Sequence, residues 1–372
     1  VTTSRKLHIG LIAAFLVLIG VVAPSQIVWE LRDGEPPQIA ELFRQRPTRA
    51  TLRQFEGRLE SNCRLAQALR PWVQYARFVL FEDAGDKAII GRSGWFFYRP
   101  AVQYLIEPSS PPDDVFSAIV SFRDDLAKRG IRLLVMPVPN KASIYPEMLA
   151  ARAAGASEPV NAKTRDVLTR LKKSGVEIVD LFEVYGKARQ AAGSPRYYLA
   201  QDSHWSPEGI RLAAEVVARR LLDSSWVQKG SVKYEIKPVT VERYGDVLRM
   251  IRVPQVEQLY QPQRMNCEQV LDAATGQPYK DDPNSPVLVL GDSFLRIFER
   301  DEPGSGGFVA HLAHNLGFDV TSIVNDGGAS TLVRQQLASK PGLLKGKKVV
   351  VWEFVERDIR FGTEGWQVIR LP

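Results

Sequence analysis

Short apolar runs alternate with amphipathic stretches through most of this chain. Arg132-Leu133-Leu134-Val135-Met136, Val176-Glu177-Ile178-Val179-Asp180, Val287–Leu290, Val320–Val324 and Val349–Phe354 are strand-length blocks rich in β-branched residues. Between them, apolar residues recur at helical spacing from about 113 to Arg129, 160 to Ser174, 305 to Asn315 and 330 to 339. Gly130 and Gly175 stop two of these helices, and Ser206-Pro207-Glu208 starts another with proline in its first turn. Strands buried on both faces lose the polar–apolar alternation, so these blocks predict an α/β fold with a doubly wound parallel sheet. Two segments depart from that rhythm. Ala88 to Tyr98 forms two short apolar runs around Gly91-Arg92-Ser93-Gly94 and predicts a hairpin. Residues 230–260 alternate polar and β-branched types (Val232-Lys233-Tyr234-Glu235-Ile236, Val239-Thr240-Val241) and predict a small inserted β element.

The N-terminus follows another pattern. Arg5-Lys6 precede an uncharged apolar run from Ile9 to Ala23, extended to Trp29. A basic start, a membrane-length apolar segment and an interfacial tryptophan predict an uncleaved inner-membrane anchor, with the rest of the chain in the periplasm. A cleaved signal peptide is the alternative, with Val21-Val22-Ala23 as its small-residue site, although Pro24 would follow the cut directly. The expected organisation is an anchor at 1–29, a linker and helix at 30–87 and one large domain at 88–372.

Composition narrows the function classes. With 372 residues, 45% hydrophobic and 24% charged, the chain can bury a sizeable core. A net charge of +7 is mild, and no basic stripe is interleaved with aromatics, which argues against a nucleic-acid binder. Two cysteines, Cys63 and Cys267, could form one long-range disulfide in an oxidising compartment or remain two buried thiols. Their spacing is not that of a metal site, and no cofactor motif stands out.

Candidate chemistry centres on Leu288-Val289-Leu290-Gly291-Asp292-Ser293, a strand that ends in a turn presenting a serine. Open α/β sheets place their ligands at the carboxyl ends of strands. A serine hydroxyl needs a base, and the base an orienting carboxylate. Of four histidines, His8 borders the apolar run, while His311 and His314 lie three apart on a predicted helix. That leaves His204, two residues from Asp202 in a loop, as the base for Ser293. After the next strand, Asn325-Asp326-Gly327-Gly328 would let backbone N–H groups approach an oxyanion.

Gly291-Asp292-Ser293-Phe294 with Asn325-Asp326-Gly327 resembles the first two blocks of the SGNH (GDSL-like) hydrolases. Asp202-Ser203-His204-Trp205 precedes the serine, whereas that superfamily places the pair after it. The reversed order is similar to the circularly permuted SGNH domain of the AlgJ/AlgX-type alginate O-acetyltransferases. Three further stretches carry the narrower resemblance: Ile90 to Phe97, Val138 to Pro146 and Trp352 to Arg357. The resemblance implies Ser293 as nucleophile, His204 as base and Asp202 as its orienter, with the Ser293 N–H and Gly327 in the oxyanion hole. The third SGNH block supplies an asparagine, but Glu356-Arg357 stands here, so Arg357 or Lys141 is left as candidate oxyanion donor or grip for an anionic sugar. Trp205 and Tyr145 complete the candidate substrate-binding set. The region after about residue 360 is too short for the carbohydrate-binding module of one family branch, which points to the anchored, module-free branch. The function implied is acetyl transfer to an exopolysaccharide without cofactor or metal, with a multi-span membrane O-acyltransferase as donor partner. An SGNH esterase or deacetylase and a non-catalytic secretion scaffold are the rival readings.

Overall fold

The computed structural model describes residues 2–40, 48–108, 112–155 and 161–372, without the side chains of residues 2–7, 14, 17–19, 22, 23, 59 and 60. The chain divides into two compact units. One comprises Val1–Asp83 with Arg252–Val256, the other Ala84–Ile251 with Glu257–Pro372.

The larger unit is built on five parallel strands. In chain order the strands of this unit are β1 (Ala88–Ile90), β2 (Phe96–Tyr98), β3 (Arg132–Val138), β4 (Glu177–Ile178), β5 (Tyr234–Arg243), β6 (Gln263–Asp272), β7 (Val287–Gly291), β8 (Thr321–Val324) and β9 (Val349–Val355). The central sheet runs β4-β3-β9-β7-β8, with every neighbouring pair parallel. Alternate residues of β3, β7 and β9 enter two separate cores, as the two-residue repeat of a strand dictates. Leu134, Met136, Val287, Val289 and Val351 face one core with helices Pro207–Asp223 and Phe308–Leu316. Leu133, Val135, Leu288, Leu290 and Trp352 face the other with helices Asp113–Ala127, Ala162–Lys173 and Leu332–Ala338. The expected parallel α/β sheet is therefore present, with helices on both faces.

Two antiparallel pairs decorate this sheet. β1 pairs with β2, Ala88 opposite Tyr98. The inserted ribbon pairs β5 with β6 over ten residues, Tyr234 opposite Asp272 and Arg243 opposite Gln263. Its second strand therefore lies beyond 260, and the connection carries the short helix Asp246–Arg249.

The smaller unit holds helices Thr2–Arg32, Arg49–Asn62 and Arg64–Phe81. The expected anchor at 1–29 is not supported: among the described residues no helix is long and apolar enough to cross a membrane. Part of the apolar run and the Arg5-Lys6 side chains lie outside the described residues. The far end of the long helix is polar, and Gln26 bonds both Glu30 (2.8 Å) and the Arg64 N–H (3.1 Å). The disulfide alternative is also corrected, because Cys63 and Cys267 are both buried free thiols. Cys267 sits on β6 inside the sheet core, where burial pushes its thiol up to about 12.

Candidate active site

β7 delivers the nucleophile. Its five residues are fully buried, and the chain then turns through Asp292 into the helical turn Ser293–Arg296. Asp292 accepts the Phe294 N–H at 2.9 Å, a local cap that holds Ser293 at the strand end. The base comes from the loop between Tyr198 and Trp205, whose ends bridge each other in antiparallel fashion. His204 Nε2 lies 2.8 Å from Ser293 Oγ, and His204 Nδ1 lies 2.6 Å from Asp202 Oδ1. Carboxylate, imidazole and hydroxyl are thus in line, the arrangement that lets a histidine take a serine proton.

The electrostatics suit that role. Burial alone would lower the His204 pKa, but Asp202 first and Asp246 second outweigh it and raise it. Burial would raise the Asp202 carboxyl, yet His204 and Arg243 hold it well below the usual carboxylate range. Its second oxygen accepts from Arg243 at 2.9 Å and from the Asp246 N–H at 3.0 Å. Asp202, His204 and Asp246 converge closely enough to consider a cation. The donor set opposes one, because the Arg243 guanidinium already occupies the carboxylate a metal would need.

Trp205 locks base loop to nucleophile turn. It is fully buried, its indole N–H donates to the Phe294 carbonyl at 3.0 Å, and its ring stacks on Phe308. It packs the site from behind, not from the substrate side. Lys141 is likewise corrected as a substrate contact: it is 4% exposed, and its three N–H groups go to the carbonyls of Leu199 (2.9 Å), Ala200 (3.0 Å) and Asp202 (2.6 Å). A lysine has three donors, so none remains for substrate. Tyr145 is buried among Trp95 and Tyr198, with its hydroxyl accepting the Tyr197 N–H at 2.9 Å. It belongs to the core as well.

Arg357 is where a ligand could use it. Its guanidinium lies over the rings of Tyr98 and Phe294, 5.2 and 5.8 Å from their centroids. Its nearest carboxylate, Asp358, stands 4.0 Å away. Gly327 follows β8 with a φ of 67°, a left-handed turn that suits glycine. Among the described residues no protein group accepts the N–H of Ser293 or of Gly327.

Four acids behind these strand ends went unassigned in the sequence. Glu353 interrupts the apolar run of β9 and accepts the Asp292 N–H at 3.0 Å. Burial raises Asp292, lifts Glu353 well above the carboxylate range and brings Asp358 up to about 7. Glu356 accepts four hydrogen bonds, from Asn140, Ser143, Asn161 and Thr164, and joins β9 to its surroundings. A charged residue inside a continuous apolar strand is the signal that could have found Glu353. Arg243 and Asp246 had no such signal, because their contacts lie about 40 residues away along the chain.

Residues 88–356 match the family described as the SGNH hydrolase-like domain of acetyltransferase AlgX. A probable alginate O-acetylase AlgJ of Pseudomonas fluorescens is 24% identical over 373 residues, covering 97% of this chain and 88% of its own. Among solved structures, the O-acetyltransferase domain of Pseudomonas putida AlgJ superposes with a TM-score of 0.57 at 22% identity, covering 73% of this chain and 91% of that domain. Pseudomonas aeruginosa AlgX gives 0.55 at 20% identity, covering 72% of this chain and 62% of that one. The matched region contains Asp202, His204, Ser293, Gly327 and the whole central sheet. The chain belongs to the SGNH hydrolase-like acetyltransferase AlgX family.

Proposed function

We propose that this protein is an O-acetyltransferase that passes an acetyl group through Ser293 to hydroxyls of an exopolysaccharide, alginate being the polymer named for its relatives. The observation that carries the reading is the Asp202–His204–Ser293 line, 2.6 and 2.8 Å, at the carboxyl ends of a parallel sheet. His204 Nε2 takes the hydroxyl proton as Ser293 Oγ attacks the acetyl carbonyl of the donor. The tetrahedral oxyanion is met by the unpaired N–H groups of Ser293 and Gly327 and by Arg357. Collapse forms acetyl-serine, and the donor's leaving group departs with the proton held by His204. A sugar hydroxyl then gives its proton to His204 and attacks the acetyl carbon, and Ser293 leaves and is reprotonated.

The chain order Asp202, His204, Ser293 supports reading the domain as a circular permutation of the SGNH arrangement. Arg5-Lys6 before an apolar run supports export to the periplasm. A membrane O-acyltransferase is the proposed donor partner, since acetyl donors are made inside the cell and the acceptor lies outside.

Ser293→Ala tests the assignment. Incubation with p-nitrophenyl acetate should add one acetyl group to the wild type by intact mass, and the variant should lose that labelling by about a thousandfold or more. A variant that labels at the wild-type rate refutes the nucleophile. With an oligosaccharide acceptor, acetylated sugar establishes transfer, whereas free acetate alone makes the protein a hydrolase.

A further inference from the structure

The inserted ribbon does more than decorate the sheet. Its first strand, β5, ends at Arg243, and the chain then presses Gly245 against the base loop. A Cβ at position 245 would sit 2.2 Å from the Gln201 carbonyl and 2.5 Å from the Asp202 nitrogen, so only glycine permits this approach. Gln201 is gripped from the same side, its N–H donating to Gln263 at 2.7 Å and its amide to the Gln261 carbonyl at 2.8 Å. Asp246 accepts both the N–H and the hydroxyl of Ser203 at 2.6 Å, and its Oδ2 lies 3.5 Å from His204 Nδ1. Arg243 reaches the far oxygen of Asp202 at 2.9 Å and Asp301 at 3.5 Å.

We propose that Asp246 and Arg243 are positioning residues of the acetyl-transfer site. Asp246 supplies a second negative charge beside the His204 imidazole, and Arg243 neutralises the buried oxygen of Asp202. The inference rests on the triad reading above and adds that the catalytic base is completed by the insertion. Burial and the neighbouring Asp202 raise the Asp246 carboxyl. His204, the short bonds from the Ser203 N–H and hydroxyl, and a side chain about a quarter exposed favour its charged form, the form the proposal assigns to it. Opposite charges at this distance favour the imidazolium that forms when Ser293 gives up its proton. Arg243 acts in the opposite sense, since a cation behind Asp202 weakens the field that carboxylate exerts on the ring. The other charges around the ring are Arg357 and Asp292 from the strand ends and Lys141 beneath the base loop. They stay in place when the ribbon is altered.

The pH dependence of acetyl-enzyme formation by the full chain, with p-nitrophenyl acetate as donor, separates this from a purely structural role. The acid limb reports loss of the His204 proton. Asp246→Asn should move that limb to lower pH by about one unit, and Asp246→Glu should restore it. Arg243→Met should move it to higher pH. A structural defect would not shift the two variants in opposite directions. Limbs that stay put, or move the same way, in variants with wild-type far-ultraviolet circular dichroism overturn the proposal. Should Asp246→Asn fail to fold, Arg243→Met decides alone, because its limb must rise. Ser293→Ala distinguishes the two levels: if it still labels, the triad reading fails; if it is dead while the limbs are unmoved, only the ribbon's role falls.

Discussion

Replacing Lys141 with methionine separates a lysine that serves substrate from one that holds the base loop. The ammonium is enclosed by the Leu199, Ala200 and Asp202 carbonyls and by the rings of Trp95 and Phe97, 5.3 and 5.0 Å away. Methionine fills similar space without donors. The Ala200 carbonyl would keep the Phe96 N–H at 2.8 Å, but among the described residues the Leu199 and Asp202 carbonyls have no second partner. Leaving a buried acceptor unmade costs roughly 1–3 kcal/mol, so two of them, partly offset by removing a buried charge, imply a net loss of about 3 kcal/mol. Burial brings the Lys141 pKa from 10.5 down to about 7, opposed by Asp202 and Asp246. Across that window the unfolded chain keeps a proton that the folded chain has released, so unfolding takes up a proton and rising pH opposes it. The wild type should therefore gain on Lys141→Met by roughly 1.4 kcal/mol per pH unit between pH 7 and 10. Urea melts of both proteins at pH 7, 8, 9 and 10 measure the difference. The turnover number should fall as the loop slackens, with the acceptor KM unchanged. Equal stability with a raised acceptor KM would put the lysine at the substrate, and a pH-independent difference would refute the burial argument.

Glu353 should behave as a protonated acid at neutral pH, because burial lifts it far above the carboxylate range. The unfolded chain ionises there above about pH 4.3 and the folded chain does not, so wild-type stability falls as pH rises. Glu353→Gln should match the wild type near pH 4 and exceed it by about 1 kcal/mol or more at pH 8, measured by urea melts. Glu353→Ala should instead lose about 2 kcal/mol near pH 4, since it leaves the Asp292 N–H without its acceptor, and less at pH 8, where it too escapes the wild type's ionisation penalty. Arg357→Met should slow acetyl-enzyme formation by about a hundredfold, and Arg357→Lys should recover little, because an ammonium cannot lie flat between Tyr98 and Phe294. Both cysteines should react with a thiol reagent only after denaturation, without prior reduction, because each is free and buried.

The parallel sheet was legible because its strands are buried on both faces and its helices are amphipathic, so the two periodicities hardly overlap. Ser293 and His204 were legible for a chemical reason: a serine at a strand end needs a base, and the chain offers few histidines. The supporting roles were not. Lys141, Trp205 and Tyr145 are residue types that serve ligands and cores alike, and only burial and spent hydrogen bonds distinguish the two. The ribbon was recognisable from alternation at 230–241, but its register and second strand depend on pairing with Gln263–Asp272, which no local pattern carries. The N-terminal apolar run, its basic start and Trp29 predicted an anchor, signals blind to the polar contacts of Gln26.

Charge balance behind the nucleophile ties the fold to the chemistry. Asp292, Glu353 and Asp358 are buried at adjoining strand ends, and the Arg357 guanidinium acts on all three. If all three were ionised, their combined field would oppose the negative charge that develops on the acetyl oxygen during attack. Burial works against this by raising each carboxyl, Glu353 furthest, which leaves Arg357 with positive charge to direct at the oxyanion. On the other side of Ser293 the logic reverses. There Asp202 is held ionised by His204 and Arg243, and Asp246 adds a second carboxylate, so negative charge accumulates where the imidazolium forms. Negative charge is thus opposed on one face of the serine and supplied on the other. That polarity matches the separation of charge in the attacking step, in which the proton moves toward His204 and the electrons toward the carbonyl oxygen. The sheet fixes the first face through β7 and β9, and the insertion fixes the second through β5, so the reaction depends on two supports from distant parts of the chain.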